Sequence, residues 1–153
     1  MLAREIMSHD PLCCTADTTV QDAARIMREG CCGFLPVIAG DKKAIGVITD
    51  RDIVCRVVGS GKDPAKIRVH DCMSPLLGSV SVDAELSACL AEMKQHQVRR
   101  VIVADGNGNC VGVIAQADLA LHMGDRTFGE LNARIVEKGV TVHPGPEIGS
   151  IAR

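Results

Sequence analysis

The chain has 153 residues, 46% of them hydrophobic and 24% charged, with a formal net charge of −2. That balance excludes a chain that stays disordered, and it lacks the strongly basic footprint of a duplex-DNA binder. No apolar stretch is long enough to read as a membrane span, and with Trp and Tyr absent and only Phe34 and Phe128 present, there is no aromatic platform for single-stranded nucleic acid.

Arg4, Glu5, His9 and Asp10 fall within the first ten residues, which does not read as a secretory leader. A cytoplasmic protein is expected. Its eight cysteines show neither C-x-x-C nor zinc-finger spacing. They are expected to be free thiols, mostly small buried hydrophobes, with no disulfide and no metal. Cys13 and Cys14 are the exceptions to watch, because they precede the first helix near a candidate binding loop.

In chain order, Val20, Ala23, Ala24 and Met27 recur at i, i+3, i+4, i+7 and predict an amphipathic helix, capped by Thr18 or Thr19 and stopped by Gly30. Phe34–Ile38 and Ala44–Ile48 predict two strands around a turn at Gly40–Lys43. A second helix starts near Asp50 and runs through Ile53, Val54 and Val57. Gly59–Pro64 reads as a linker. The pattern then recurs at a shift of 66 residues without a gap. Met7-Ser8 falls on Met73-Ser74, Met27 on Met93, Val37 on Val103, Gly46-Val47-Ile48 on Gly112-Val113-Ile114, and Asp52 on Asp118. Leu86, Cys89, Leu90 and Met93 form the second amphipathic face, with Asp83 as its expected cap. Strands at Val101–Val103 and Cys110–Ile114 follow, then a helix from Gln116. After Met123 the repeat ends. Thr127–Lys138, with Leu131 and Ile135 on one face, predicts one more helix, and the tail from Gly139 is expected to be loosely held. The nearly continuous apolar hairpin strands suit a sheet covered on both faces.

Each copy thus reads strand–helix–strand–strand–helix. Leu35-Pro36-Val37 followed by Gly46-Val-Ile-Thr49-Asp-Arg-Asp52, echoed by Val101-Ile102-Val103 and Gly112-Val-Ile-Ala115-Gln-Ala-Asp118, resembles the CBS domain. The resemblance spans roughly residues 2–124. It is similar to the small stand-alone two-CBS proteins of the hypoxic-response type, to which Gly46–Val54 and His96–Arg100 also correspond. It implies an α/β fold of two tandem CBS domains paired about a pseudo-twofold axis. The expected divisions are residues 2–58 and 68–124 for the domains, 59–67 for the linker and 125–153 for a C-terminal helix and tail. A homodimer is implied as well, consistent with the surplus apolar residues Ile53, Val54, Val57, Val58, Leu119, Leu121 and Met123.

The resemblance also implies a non-enzymatic regulatory module binding an adenosine nucleotide (AMP, ADP or ATP) in the cleft between the domains. It would be read by an effector protein, without nucleic acid, membrane or metal. A carboxylate can accept both vicinal hydroxyls of a ribose, and a hydroxyl with free N–H groups at a helix start suits a phosphate. Asp52 and Thr49 stand at such a turn. An Asp in a first helical turn is also favourable simply as a cap. By the resemblance, copy two completes this site: Arg99 and Arg100 on the phosphates, and Gly78–Val82, including Ser79, Val80 and Val82, on the base. The Asp118 site would be completed by Gly33, Phe34, Cys13 and Cys14. Ala115 replaces its hydroxyl and it lacks a cation, so it is expected to be the weaker. The alternative is a protein-interaction or redox-responsive CBS protein with a vestigial nucleotide site. An enzyme finds no support, because His9, His70, His96, His122 and His143 are scattered and no nucleophile–base constellation is visible.

Overall fold

The computed structural model describes residues 1–122 and 125–137, so the tail from Gly139 lies outside the described residues. The first half contains α1 (Ala3–Ile6), β1 (Ser8–His9), β2 (Cys14–Thr15), α2 (Val20–Glu29), β3 (Phe34–Ile38), β4 (Ala44–Thr49) and α3 (Asp50–Arg56). The second contains β5 (Ser74–Pro75), β6 (Ser79–Ser81), α4 (Leu86–His96), β7 (Arg100–Ala104), β8 (Cys110–Ala115) and α5 (Gln116–Ala120), followed by α6 (Asp125–Glu137).

Helix α2 buries Val20, Ala23 and Met27, and its N-cap is Thr19, whose hydroxyl accepts from the Asp22 N–H at 3.0 Å. Helix α4 buries Cys89 and Met93 and is preceded by Glu85 at the cap position. Asp83, expected as that cap, instead pairs with Arg4. Each helix covers its own sheet, which gives two aliphatic cores. One holds Leu35, Val37, Ile48, Ile53, Val57 and Val69. The other holds Val101, Val103, Ile114, Leu119, Leu131 and Ile135, the last two from α6.

The two sheets exchange their edges. One runs β2-β3-β4-β5 and the other β1-β8-β7-β6. Thus Ser8–His9, at the head of the first copy, completes the second copy's sheet, with Ser8 opposite Val113. Ser74–Pro75, at the head of the second copy, completes the first copy's sheet, with Ser74 opposite Val47. The same exchange carries α1 across: Ala3 and Ile6 are buried in the second core, and the Ala3 N–H donates to the Ala84 carbonyl at 2.8 Å.

This exchange explains the repeated Met-Ser and Gly identities. A Cβ at Gly46 would lie 2.8 Å from the Ser74 carbonyl oxygen and 3.2 Å from the Met73 sulfur. A Cβ at Gly112 would meet the Met7 sulfur and lie 2.9 Å from Met7 Cγ. Each glycine is the seat of the other copy's incoming methionine strand. Gly46→Ala meets backbone, which cannot rotate away, and is expected to destabilise by about 1–3 kcal/mol. Urea unfolding checks this against Gly40→Ala, whose Cβ would have nothing within 4 Å.

Candidate functional site

The strand-to-helix turns that carry the signature differ between the copies. In the first, Thr49 caps α3. The Thr49 N–H and hydroxyl both donate to Asp52 Oδ2 at 2.9 Å, and the Asp52 N–H donates to Thr49 Oγ1 at 3.1 Å. Asp52 Oδ1 accepts from the Ser74 hydroxyl at 3.1 Å and lies 3.3 Å from Arg56 Nη1. The Arg56 guanidinium in turn donates to the Cys72 carbonyl at 2.8 Å. An ionised carboxylate offers about four acceptor positions, and Asp52, at 8% exposure, has its oxygens engaged by its own chain.

In the second copy, Asp118 Oδ2 accepts from the Ala115 N–H at 2.7 Å. Ala115 has no hydroxyl, so the capping interaction is half of that at Thr49. Among the described residues, Asp118 Oδ1 has no hydrogen-bond partner. Asp118 lines a cavity of about 320 Å³ between the halves. The walls include Pro11 and Leu12 from the crossing segment, Phe34 and Pro36 from β3, and Val113 from β8, with Ser8, Arg100 and Asp118 as polar groups. Gly30 and Cys32 close the α2 side. A Cβ on Gly30 would collide with Leu12, so the glycine permits the crossing segment to lie there.

Arg100 lines this cavity, and that corrects its expected pairing with Asp52. The reason is register. Arg100 stands opposite Ala115 in the β7–β8 hairpin, beside the turn that carries Asp118. Its guanidinium carbon lies 5.4 Å from the Phe34 ring centroid. Phe34 and Arg100 occupy the same position in the two copies, so they meet where the copies face each other. The cavity therefore has the cation that the sequence reading denied it. Thr49, Asp52, Arg99, Ser79, Val80 and Val82 do not line it. Arg99 is exposed, and its carbonyl accepts from the Gln116 N–H at 2.9 Å. Ser79 is exposed on β6, whereas Val80 and Val82 pack in or against the second core.

Cys13 and Cys14, expected in the Asp118 pocket, go elsewhere. Cys14 is buried in the first core, where burial pushes its thiol up to about 12. The half-buried Cys13 thiol donates to the Pro11 carbonyl at 3.2 Å. The sequence reading missed Ser8, Pro11 and Leu12. The coincidence of Ser8 with Ser74 under the repeat was the available signal.

The CBS domain family model matches residues 3–59 and 69–125. Hypoxic response protein 1 of Mycobacterium tuberculosis is 35% identical over 121 residues, which cover 79% of this chain and 84% of that protein. The CBS domain-containing protein YhcV of Bacillus subtilis is 35% identical over 124 residues, 80% of this chain and 86% of that one. A crystal structure of hypoxic response protein I with two coordinated zinc ions matches with a TM-score of 0.73 at 33% identity, over 81% of this chain and all of that one. A CBS domain protein from Pyrobaculum aerophilum, complexed with AMP, shares the fold with a TM-score of 0.72 at 22% identity, over 87% of this chain and 99% of that one.

The zinc in the first of these structures corrects the expectation that such a chain holds no metal. Spacing along the sequence was a poor guide, because ligands can converge from separate strands or chains. In this chain no three His, Cys, Asp or Glu side chains converge among the described residues, so no zinc site is assigned to them. No helix among the described residues is long and apolar enough to cross a membrane. With two matched repeats, edge strands exchanged between them and relatives aligned over most of their lengths, the chain belongs to the CBS domain family as a tandem pair, the arrangement of regulatory modules.

Proposed function

We propose that this pair is a regulatory, non-catalytic module that takes an adenosine-containing monophosphate, of the AMP class, in the cavity at Asp118. The observation that carries the reading is that Asp118, one of whose carboxylate oxygens has no partner among the described residues, and Arg100 line the same 320 Å³ cavity with a set of apolar walls. That volume falls at the small-ligand end of ordinary binding sites. Asp118 Oδ1 would accept from the ribose hydroxyls, Arg100 would pair with the phosphate, and Leu12, Pro36 and Val113 would enclose the base. The AMP complex of the Pyrobaculum aerophilum protein supports the ligand class for the fold.

Because Ser8, Pro11 and Leu12 come from one copy's crossing segment and Asp118 from the other copy, a bound ligand would favour one relative arrangement of the halves and shift the module towards it. Val54 and Val58 are each 58% exposed and Leu121 is 84% exposed, which is apolar surface suited to a homodimer read by an effector protein.

Calorimetry and thermal unfolding with AMP test the reading, with adenosine and ATP as comparisons. AMP at 100 times its dissociation constant is expected to stabilise the fold by about 2.7 kcal/mol, and light scattering is expected to give a dimer mass. Absence of any shift with adenine nucleotides or S-adenosylmethionine at millimolar concentration would replace this reading with the interaction-protein alternative.

A further inference from the structure

Arg100 brings a charge to the cavity wall without being neutralised there. Among the described residues its guanidinium has no ion-pair or hydrogen-bond partner, although Asp118 lines the same cavity. What it does have is the Phe34 ring, whose centroid lies 5.4 Å from the guanidinium carbon. That is within the range at which a ring face attracts a cation. A ring on one face of a planar guanidinium leaves the N–H groups at its edge free. It is through that edge that an arginine takes a phosphate with two parallel hydrogen bonds.

Backbone places both partners. Phe34 opens β3 opposite Thr49, and the Gly33 carbonyl just before it accepts from the Asp50 N–H at 3.1 Å. Arg100 opens β7 opposite Ala115, and the Arg99 carbonyl just before it accepts from the Gln116 N–H at 2.9 Å. One such bond in each copy ties the strand start to the helix start beside it. The ring is half-buried and the arginine exposed. Without the ring, so long a side chain would spread over several rotamers.

We propose that Phe34 is a positioning residue: it holds the Arg100 guanidinium at the cavity wall and thereby sets the site's preference for phosphorylated over uncharged adenosine compounds. This rests on the nucleotide reading of the cavity. An uncharged adenosine compound gains nothing from the held guanidinium. A phosphate monoester meets a cation already in place, so less side-chain freedom is lost on binding. Ring and cation come from different copies, so the preference exists only while the halves keep this arrangement.

Calorimetry on the full chain with AMP and with adenosine tests this. The quantity read is the ratio of the two affinities, because Phe34 also lines the wall and its loss touches both ligands. Phe34→Leu is expected to lower that ratio about two- to fivefold, the size of a cation–π contact at a partly exposed site. Phe34→Tyr, which keeps a ring face, is expected to restore it. With Arg100→Ala in place, adding Phe34→Leu should leave the ratio where Arg100→Ala alone puts it. A second readout needs no ligand. The chain has no Trp or Tyr, and Phe128 is its only other Phe. A ring-current shift on the Arg100 Nε–H resonance, lost in Phe34→Leu, therefore reports the contact in the free protein. A ratio unchanged in Phe34→Leu, a ratio that Phe34→Tyr fails to restore, or an Arg100 resonance indifferent to the loss of the ring would overturn the proposal. Failure of the nucleotide reading looks different: the wild-type chain would bind neither AMP nor adenosine, and the specificity role would fall with it whatever the resonance showed.

Discussion

Replacing Asp118 with Ala is expected to weaken AMP binding ten- to a hundredfold. The lost interactions are hydrogen bonds to a charged acceptor, worth about 1.5–3 kcal/mol, which converts to that range of affinity. In the wild type one carboxylate oxygen accepts from the Ala115 N–H, the other has no partner among the described residues, and the residue lines the cavity. Arg100→Ala is expected to reduce AMP affinity by about the same factor, through its charge-assisted contact, while adenosine binding changes little because its partner is the phosphate. Isothermal calorimetry on both variants, with AMP and adenosine, checks the pair. If Asp52→Ala abolished AMP binding while Asp118→Ala left it intact, the ligand would belong to the other turn.

Asp52→Ala should act on stability instead, by about 3 kcal/mol. Its carboxylate gathers the Thr49 N–H and hydroxyl, the Ser74 hydroxyl and the Arg56 guanidinium at a nearly buried position. Removing it takes the acceptor from the Thr49 N–H and from the half-buried Thr49 and Ser74 hydroxyls and breaks the reciprocal half of the capping box, while Thr49 still caps α3. Arg56 is half exposed, so its ion pair is screened and contributes the smaller part. Ser74 belongs to the exchanged strand, so the same substitution also loosens β5 against β4. The urea midpoint should fall without a change in slope. A loss below about 1 kcal/mol would mean that Ser74 and Thr49 find other partners.

Much of this architecture is legible along the chain, because a 3.6-residue period and a short apolar hairpin are local signals. Val20, Ala23 and Met27 mark α2, and Cys89 and Met93 mark α4, for that reason. The edge exchange is not local. Nothing near Ser8 says that its partner is Val113, and only the coincidence of Met7-Ser8 with Met73-Ser74, together with that of Gly46 with Gly112, hints that both heads of the repeat seat on a glycine. The site suffered more. Thr49 and Asp52 satisfy a ligand motif, yet the same residue types satisfy a helix start, and here they are engaged with each other. Arg100 was recognised as a candidate cation but given the wrong neighbour, because its position follows from the register with Ala115 and from Phe34 across the interface.

The traded edge strands also set an order of assembly during synthesis. The first sheet needs only Ser74–Pro75 to be complete, and these residues emerge soon after its hairpin. The second sheet requires Ser8–His9, made well before it, and offers them a seat only once Gly112 and Val113 have left the ribosome. Until then the amino-terminal segment waits, with the apolar faces of Ala3 and Ile6 uncovered. Pairings between residues so distant in sequence close late and slowly. The second sheet therefore closes only when the crossing segment returns to it, and neither half reaches its native form before the other is made.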